Sequence, residues 1–118
     1  LVAPPVLSVQ TQSDTAPIAT IEIIKLTLQD GETQEDVITI WQETEGSMNR
    51  CVNWQDAQFD PEIATLWYPR VRQQPTPRWS AVQCARVGRC DEVPEADIAI
   101  QERAWGSPIW HIPEAKYP

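Results

Sequence analysis

Two runs of β-branched residues around a tight-turn dipeptide constrain this chain more than any other feature. Ala19 to Leu28 reads Ala-Thr-Ile-Glu-Ile-Ile-Lys-Leu-Thr-Leu, dense in β-branched side chains and partly alternating, which predicts a strand. Val37 to Gln42 (Val-Ile-Thr-Ile-Trp-Gln) predicts a second. Asp30-Gly31 between them is a turn signal, so the two runs are expected to pair as a hairpin. Glu32, Glu35 and Asp36 are expected in an acidic loop after the turn. A chain built on such a hairpin is expected to continue as an antiparallel sheet.

The remaining segments extend that plan. Residues 1–18 are rich in Pro, Ser, Thr and Gln and read as a tail or extended connector, leaving 19–118 as a β-rich domain. Cys51-Val52-Asn53-Trp54 predicts a short third strand, and Asp60-Pro61 a turn. Ile63 to Arg72 predicts a fourth strand, in which Pro69 lacks a ladder donor and so implies an edge or a bulge. Thr76-Pro77 fits an N-cap followed by Pro at the first helical position, and Gly88 fits a C-terminal stop. A short helix over 77–87 follows, presenting Trp79, Val82 and Arg86 on one side. Residues 91–97 read as acidic loop, and 98–112 as a final strand broken near Gly106 and Pro108. The expected fold is therefore mainly β: a small antiparallel sandwich-like domain with one short helix.

Composition excludes some functions. The 118 residues fit one domain or a piece of one, and 42% apolar content with six Trp supports a modest core. Net charge is −8, which argues against binding a nucleic-acid backbone. No run approaches the ~20 apolar residues a membrane helix needs. The opening Leu1-Val2-Ala3-Pro4-Pro5 has neither an initiator Met nor the apolar core of a signal peptide, and is expected of a processed or truncated product.

Three cysteines are too few for a disulfide framework. Cys84 and Cys90 flank a short segment that contains a glycine turn, so a small-loop disulfide is one reading. Three reduced or buried thiols are the other. Cys51 would be free, or paired outside this segment. The Cys-x5-Cys spacing is not a zinc spacing, and no second ligand pair accompanies it.

Two aromatic, proline and arginine blocks stand out: Gln74-Pro75-Thr76-Pro77-Arg78-Trp79, and Gln101-Glu102-Arg103-Ala104-Trp105-Gly106-Ser107-Pro108-Ile109-Trp110. Arg70, Arg72, Arg78, Arg86 and Arg89 occur with no acidic residue from 70 through 89, a local basic zone in an acidic chain. Three readings stay open for it: a solvated face whose stems cover aromatic surface, a docking face for an acidic partner domain, and direct contact with an anionic or carbonyl-bearing substrate. A guanidinium beside an indole, as at Arg78-Trp79 and Arg103…Trp105, suits stacking and forked hydrogen bonding alike.

Catalytic equipment is sparse. His111 stands alone near the end of the chain and reads as a surface or hydrogen-bonded residue. Ser107 has no base placed by any motif. The acid pairs Glu43/Glu45 and Asp91/Glu92 lie in loop-like segments, without the split environments that acid–base work needs. No catalytic residue and no metal ligand is expected in this chain.

Phe59-Asp60-Pro61, Leu66-Trp67-Tyr68-Pro69-Arg70-Val71, the Pro-Thr-Pro-Arg-Trp block and the closing Gln-Glu-Arg-Ala-Trp-x-Ser-Pro-Ile-Trp follow Ile-Ile-Lys-Leu in a set order. That order and spacing resemble the C-terminal end of the family known as domain of unknown function 3604, over roughly residues 20–113. A tyrosine pair is common in the family where Trp67-Tyr68 stands, a small residue where Pro69 stands, and Cys84 and Cys90 look peculiar to this member. The resemblance implies a long, exported bacterial parent, periplasmic or secreted. Its N-terminal barrel would be similar to the polymerase-and-histidinol-phosphatase group and would hydrolyse ester or carbamate bonds with a divalent metal. The His-x-His and acidic segments that hold that metal have no counterpart here.

The expectation is therefore an accessory C-terminal portion that partners the catalytic barrel of its own polypeptide. Arg78 and Trp79, with Arg103, Trp105 and Arg70, would line its interface or the substrate mouth. A Trp-rich module that binds carbohydrate or protein on its own is the alternative. An isolated small enzyme is disfavoured by the lack of any ligand cluster.

Overall fold

The computed structural model describes residues 3–95 and 98–115. In chain order the elements are β1 (Val6–Gln12), β2 (Ile18–Gln29), β3 (Glu32–Ser47), β4 (Asn49–Gln55), β5 (Ala64–Gln73), β6 (Thr76–Pro77), α1 (Trp79–Val87), a 3-10 turn (Cys90–Glu92), β7 (Ala99–Ile100), β8 (Arg103–Trp105) and β9 (Ile109–His111). The fold is mainly β and antiparallel, with one short α-helix. Its largest sheet runs β3-β2-β5, with β8 and β9 sharing the outer edge of β5. Two smaller ribbons, β1-β4 and β6-β7, complete it.

The hairpin forms where the sequence places it, and reaches further. Asp30 and Gly31 both take positive φ, 53° and 79°. That geometry joins strands through a two-residue turn matched to sheet twist. A turn this short pairs the residues beside it at once, so Gln29 faces Glu32 and Leu26 faces Glu35. Glu32, Glu35 and Asp36, expected in a loop, are therefore strand residues. They lie on the edge of the sheet, where charge discourages pairing with another chain. A register shift between Ile21 and Glu22 marks a bulge in β3, which turns both Ile40 and Trp41 toward the core.

The stretch expected to be tail contributes β1 instead. Leu7 and Val9 are buried on one face of it while Val6, Ser8 and Gln10 are exposed, and the strand pairs with β4 in register from Val6↔Gln55 to Gln12↔Asn49. This ribbon packs on one face of the large sheet. Leu7, Val9, Ile18, Ile21, Ile23 and Trp67 form the core, with Val52, Trp54, Phe59 and Val71 packed around it. Burial of two alternating apolar residues outweighs a polar composition.

Pro69 sits in a central strand, with neighbours on both sides, and without a bulge at its position. The reason lies in the ladder. An antiparallel residue points its N–H and C=O to the same side. The Pro69 carbonyl accepts from the Gly106 N–H at 3.0 Å, so its missing N–H also faces the outer edge. There β8 and β9 are interrupted by Gly106-Ser107-Pro108. Proline is tolerated because the partner strand is broken opposite it.

The helix begins two residues later than expected. Thr76 and Pro77 are taken by β6, which pairs with β7 through Thr76↔Ile100, so Arg78 is the residue before the first turn. No side chain caps it. Gly88 ends the helix in the left-handed region at φ 69°, and the Arg89 N–H returns to the Cys84 carbonyl. Cys84 is bonded to Cys90, with Cα atoms 4.7 Å apart, and Cys51 is exposed and free. The final stretch is extended and broken at 106–108, with a further break at 101–102 that separates β7 from β8. Of the acidic loop expected over 91–97, Ala96 and Asp97 lie outside the described residues, and Cys90–Glu92 form the 3-10 turn.

The molecule is drawn out, at 73 × 30 × 19 Å, with a radius of gyration of 19.4 Å. A compact chain of this length has a radius of about 13.5 Å.

Candidate functional site

The β1-β4 ribbon covers one face of the large sheet, and the opposite face carries three of the sequence-predicted site residues, Arg70, Arg103 and Trp105. Strand alternation sorts them. Ile21, Ile23 and Lys25 of β2 face the ribbon, together with their partners Val71, Pro69 and Trp67. Thr20, Glu22, Ile24, Leu26 and Leu28 therefore face away, with Arg72, Arg70, Tyr68, Leu66 and Ala64 opposite them. The edge strands add Arg103 opposite Arg72, Trp105 opposite Arg70, and Trp110 opposite Leu66.

The outer face thus has two ends. At one, the row Glu22–Arg70–Trp105 lies beside the row Thr20–Arg72–Arg103. Glu22 is buried and divides its carboxylate between two guanidiniums: Arg70 Nε donates to Oε2 at 2.7 Å and Arg72 Nη2 to Oε1 at 2.8 Å. A carboxylate in a strand interior is costly unless paired in this way. At the other end, Leu26, Leu28, Ala64, Leu66, Trp110 and Ile112 line an open apolar groove of about 430 Å³. Trp105 is 61% exposed and Trp110 66%. Val37, Leu28 and Ile112 are exposed too.

Arg70, Arg103 and Trp105 are brought together, as their placement in two motifs did not require. Arg78 and Trp79 are not part of this group. They stand at the start of α1, beyond the β6-β7 pair, where Trp79 is largely exposed and the Arg78 Nε is buried without a hydrogen-bond partner. Cys84 and Cys90 tie α1 to the turn that follows it and lie off this face.

A second polar cluster holds the covered face. Lys25 Nζ lies 2.7 Å from Asp56 Oδ2, and the same oxygen accepts from Trp67 Nε1 at 3.0 Å. Asp56 Oδ1 accepts from the Gln58 N–H at 2.9 Å, and Lys25 also donates to the Gln58 carbonyl at 3.2 Å. Burial pushes the Asp56 carboxyl up, but hydrogen bonds from Lys25, Trp67 and Gln58, with the Lys25 charge, outweigh it and hold it below the usual carboxylate value. His111 is buried beside this loop, edge-on to Phe59, and its Nε2 donates to the Pro61 carbonyl at 2.9 Å. These contacts fasten the 56–62 loop to the sheet, which makes the cluster a structural lock.

Glu22 and Asp56 were missed as partners from sequence. The available signal was Glu22 and Lys25 inside a β-branched run, since charges in a buried strand require counter-charges. Among the described residues no group of three His, Cys, Asp or Glu converges in a way that could hold a metal ion. No helix among them is long and apolar enough to cross a membrane.

Residues 39–113, more than half of the chain, match the family described as protein of unknown function (DUF3604). No curated protein and no solved structure matches it. The chain belongs to the DUF3604 family.

Proposed function

We propose that this DUF3604 chain is the C-terminal accessory portion of a metal-dependent hydrolase of ester or carbamate bonds. It completes the fold of a catalytic barrel in its own polypeptide and walls the substrate mouth. The divalent metal is assigned to that barrel on the family resemblance. The reaction class rests on the family resemblance.

One physical observation supports the docking role: the chain exposes more surface than a compact domain of its mass. A compact monomer of 13.4 kDa exposes about 6,500 Å², against 8440 Å² here. The excess, about 1,900 Å², falls in the range that one partner contributes to an obligate interface, about 1,000–2,500 Å². The open end of that sheet face offers an apolar groove lined in part by Trp110, and apolar surface of this kind marks interaction sites.

The test places a charge in the groove of the full-length polypeptide, using Leu66→Asp and Trp110→Asp. Limited proteolysis should then release the C-terminal portion, and metal-dependent esterase activity should fall at least about tenfold. Unchanged proteolysis and turnover in both variants would sink the docking role. Loss of carbohydrate retention in Trp110→Asp with turnover intact would favour a binding module instead.

A further inference from the structure

The charged end of the face opposite the ribbon carries more positive charge than the fold uses. Arg70 and Arg72 share one carboxylate, that of Glu22. Arg103 stands directly opposite Arg72 on the neighbouring strand, and among the described residues it has no ion-pair partner. Like charges directly opposite on paired strands repel unless something between them compensates. Three guanidiniums against one carboxylate leave an excess of positive charge within a chain of net charge −8.

Two details give that excess a direction. The Arg72 side chain is only 30% exposed, and its Nε is buried with no hydrogen-bond acceptor while Nη2 is committed to Glu22. Trp105 lies opposite Arg70, one row from the Arg72–Arg103 pair, with most of its ring uncovered. A forked donor beside an exposed indole fits a planar or tetrahedral oxyanion joined to a flat or ring-shaped body.

The geometry points to an oxyanion-binding site formed by Arg72 and Arg103, with Arg70 behind it and Trp105 as the stacking platform. Its ligand class is a small organic acid or sulfated compound. The anion bridges the two opposed guanidiniums, and the body rests on Trp105. This goes beyond docking and does not rest on it. The apolar end of the face carries the docking argument, and the arginine rows carry this one.

The experiment is an NMR titration of the 118-residue chain that follows the arginine Nε–Hε and tryptophan indole signals. Sodium sulfate, glucuronate and uncharged glucose are the probes. Sulfate and glucuronate should shift the Arg72 Nε–Hε signal saturably, glucuronate should also shift the Trp105 indole, and glucose should shift neither. Arg103→Ala should weaken sulfate binding at least about tenfold, whereas Arg86→Ala, on α1, should leave it unchanged. The Trp67 indole signal, held by Asp56, reports that each variant is folded. Saturation by sulfate but not glucuronate would assign the site to sulfated ligands. No saturable shift with either anion, or equal affinity in Arg103→Ala, would overturn the assignment.

Discussion

Asp56→Asn separates the buried charge from the hydrogen bonds that surround it. The side chains of Lys25 and Asp56 are 9% and 4% exposed, with 2.7 Å between Nζ and Oδ2. The amide keeps the shape and an oxygen that can accept from Trp67 or Gln58, but it leaves the Lys25 ammonium buried without a counter-charge. Breaking a buried pair in this way costs about 3–5 kcal/mol. Because the Gln58 carbonyl still accepts from Lys25, we expect the lower end, about 3 kcal/mol. For a chain of this size the fall in Tm is on the order of 10 °C. Lys25→Met alone should cost less, about 2 kcal/mol, because Asp56 keeps its bonds from Trp67 and Gln58. The double variant removes both charges and should be no less stable than Asp56→Asn, giving a coupling of about 2–3 kcal/mol. Urea unfolding followed by intrinsic tryptophan fluorescence measures all four corners of the cycle. Single-variant costs that add to within about 0.5 kcal/mol would refute the claim that these two charges stabilise each other.

The remaining predictions concern acid and crowding. Asp56 is depressed in the folded state, so its contribution is fully present above the unfolded carboxylate value, near 3.9, and is lost as pH falls below that and through the native value. Tm measured from pH 7 down to pH 2 should drop more for the wild type than for Asp56→Asn; parallel curves would contradict this. Gly106→Ala would place a Cβ 2.6 Å from Pro69 Cγ, so it should destabilise by about 1–3 kcal/mol, and Pro69→Ala should rescue most of the loss. A Gly106→Ala variant equal to wild type in thermal denaturation would show that the edge strand yields freely there.

Parts of the fold were legible because their cause is local. The β-branched run from Ala19, the Asp30-Gly31 turn and the Gly88 stop each rest on φ/ψ preferences of one or two residues, and all three stand in the structure. The 6–12 strand was hidden by polar composition, although Leu7 and Val9 alternate correctly, because its partner lies some 40 residues away in β4. Thr76-Pro77 carried a sound N-terminal signal that the β7 pairing overrode. For the candidate site, Arg70, Arg103 and Trp105 were visible as dense motifs. Their grouping was not, because it depends on β8 lying against β5.

The sequence by itself determined the fold class, the central hairpin and the family, since turn chemistry, side-chain branching and motif order are properties of neighbouring residues. Only the tertiary structure decided that Pro69 could occupy a central strand, that Glu22 would serve two arginines, and that the Leu26–Leu66–Trp110 end of one sheet face would stay open. Those outcomes turn on which strands meet across long stretches of chain. That choice is made by total burial and by the pairing of buried charges, and no short window of sequence records it.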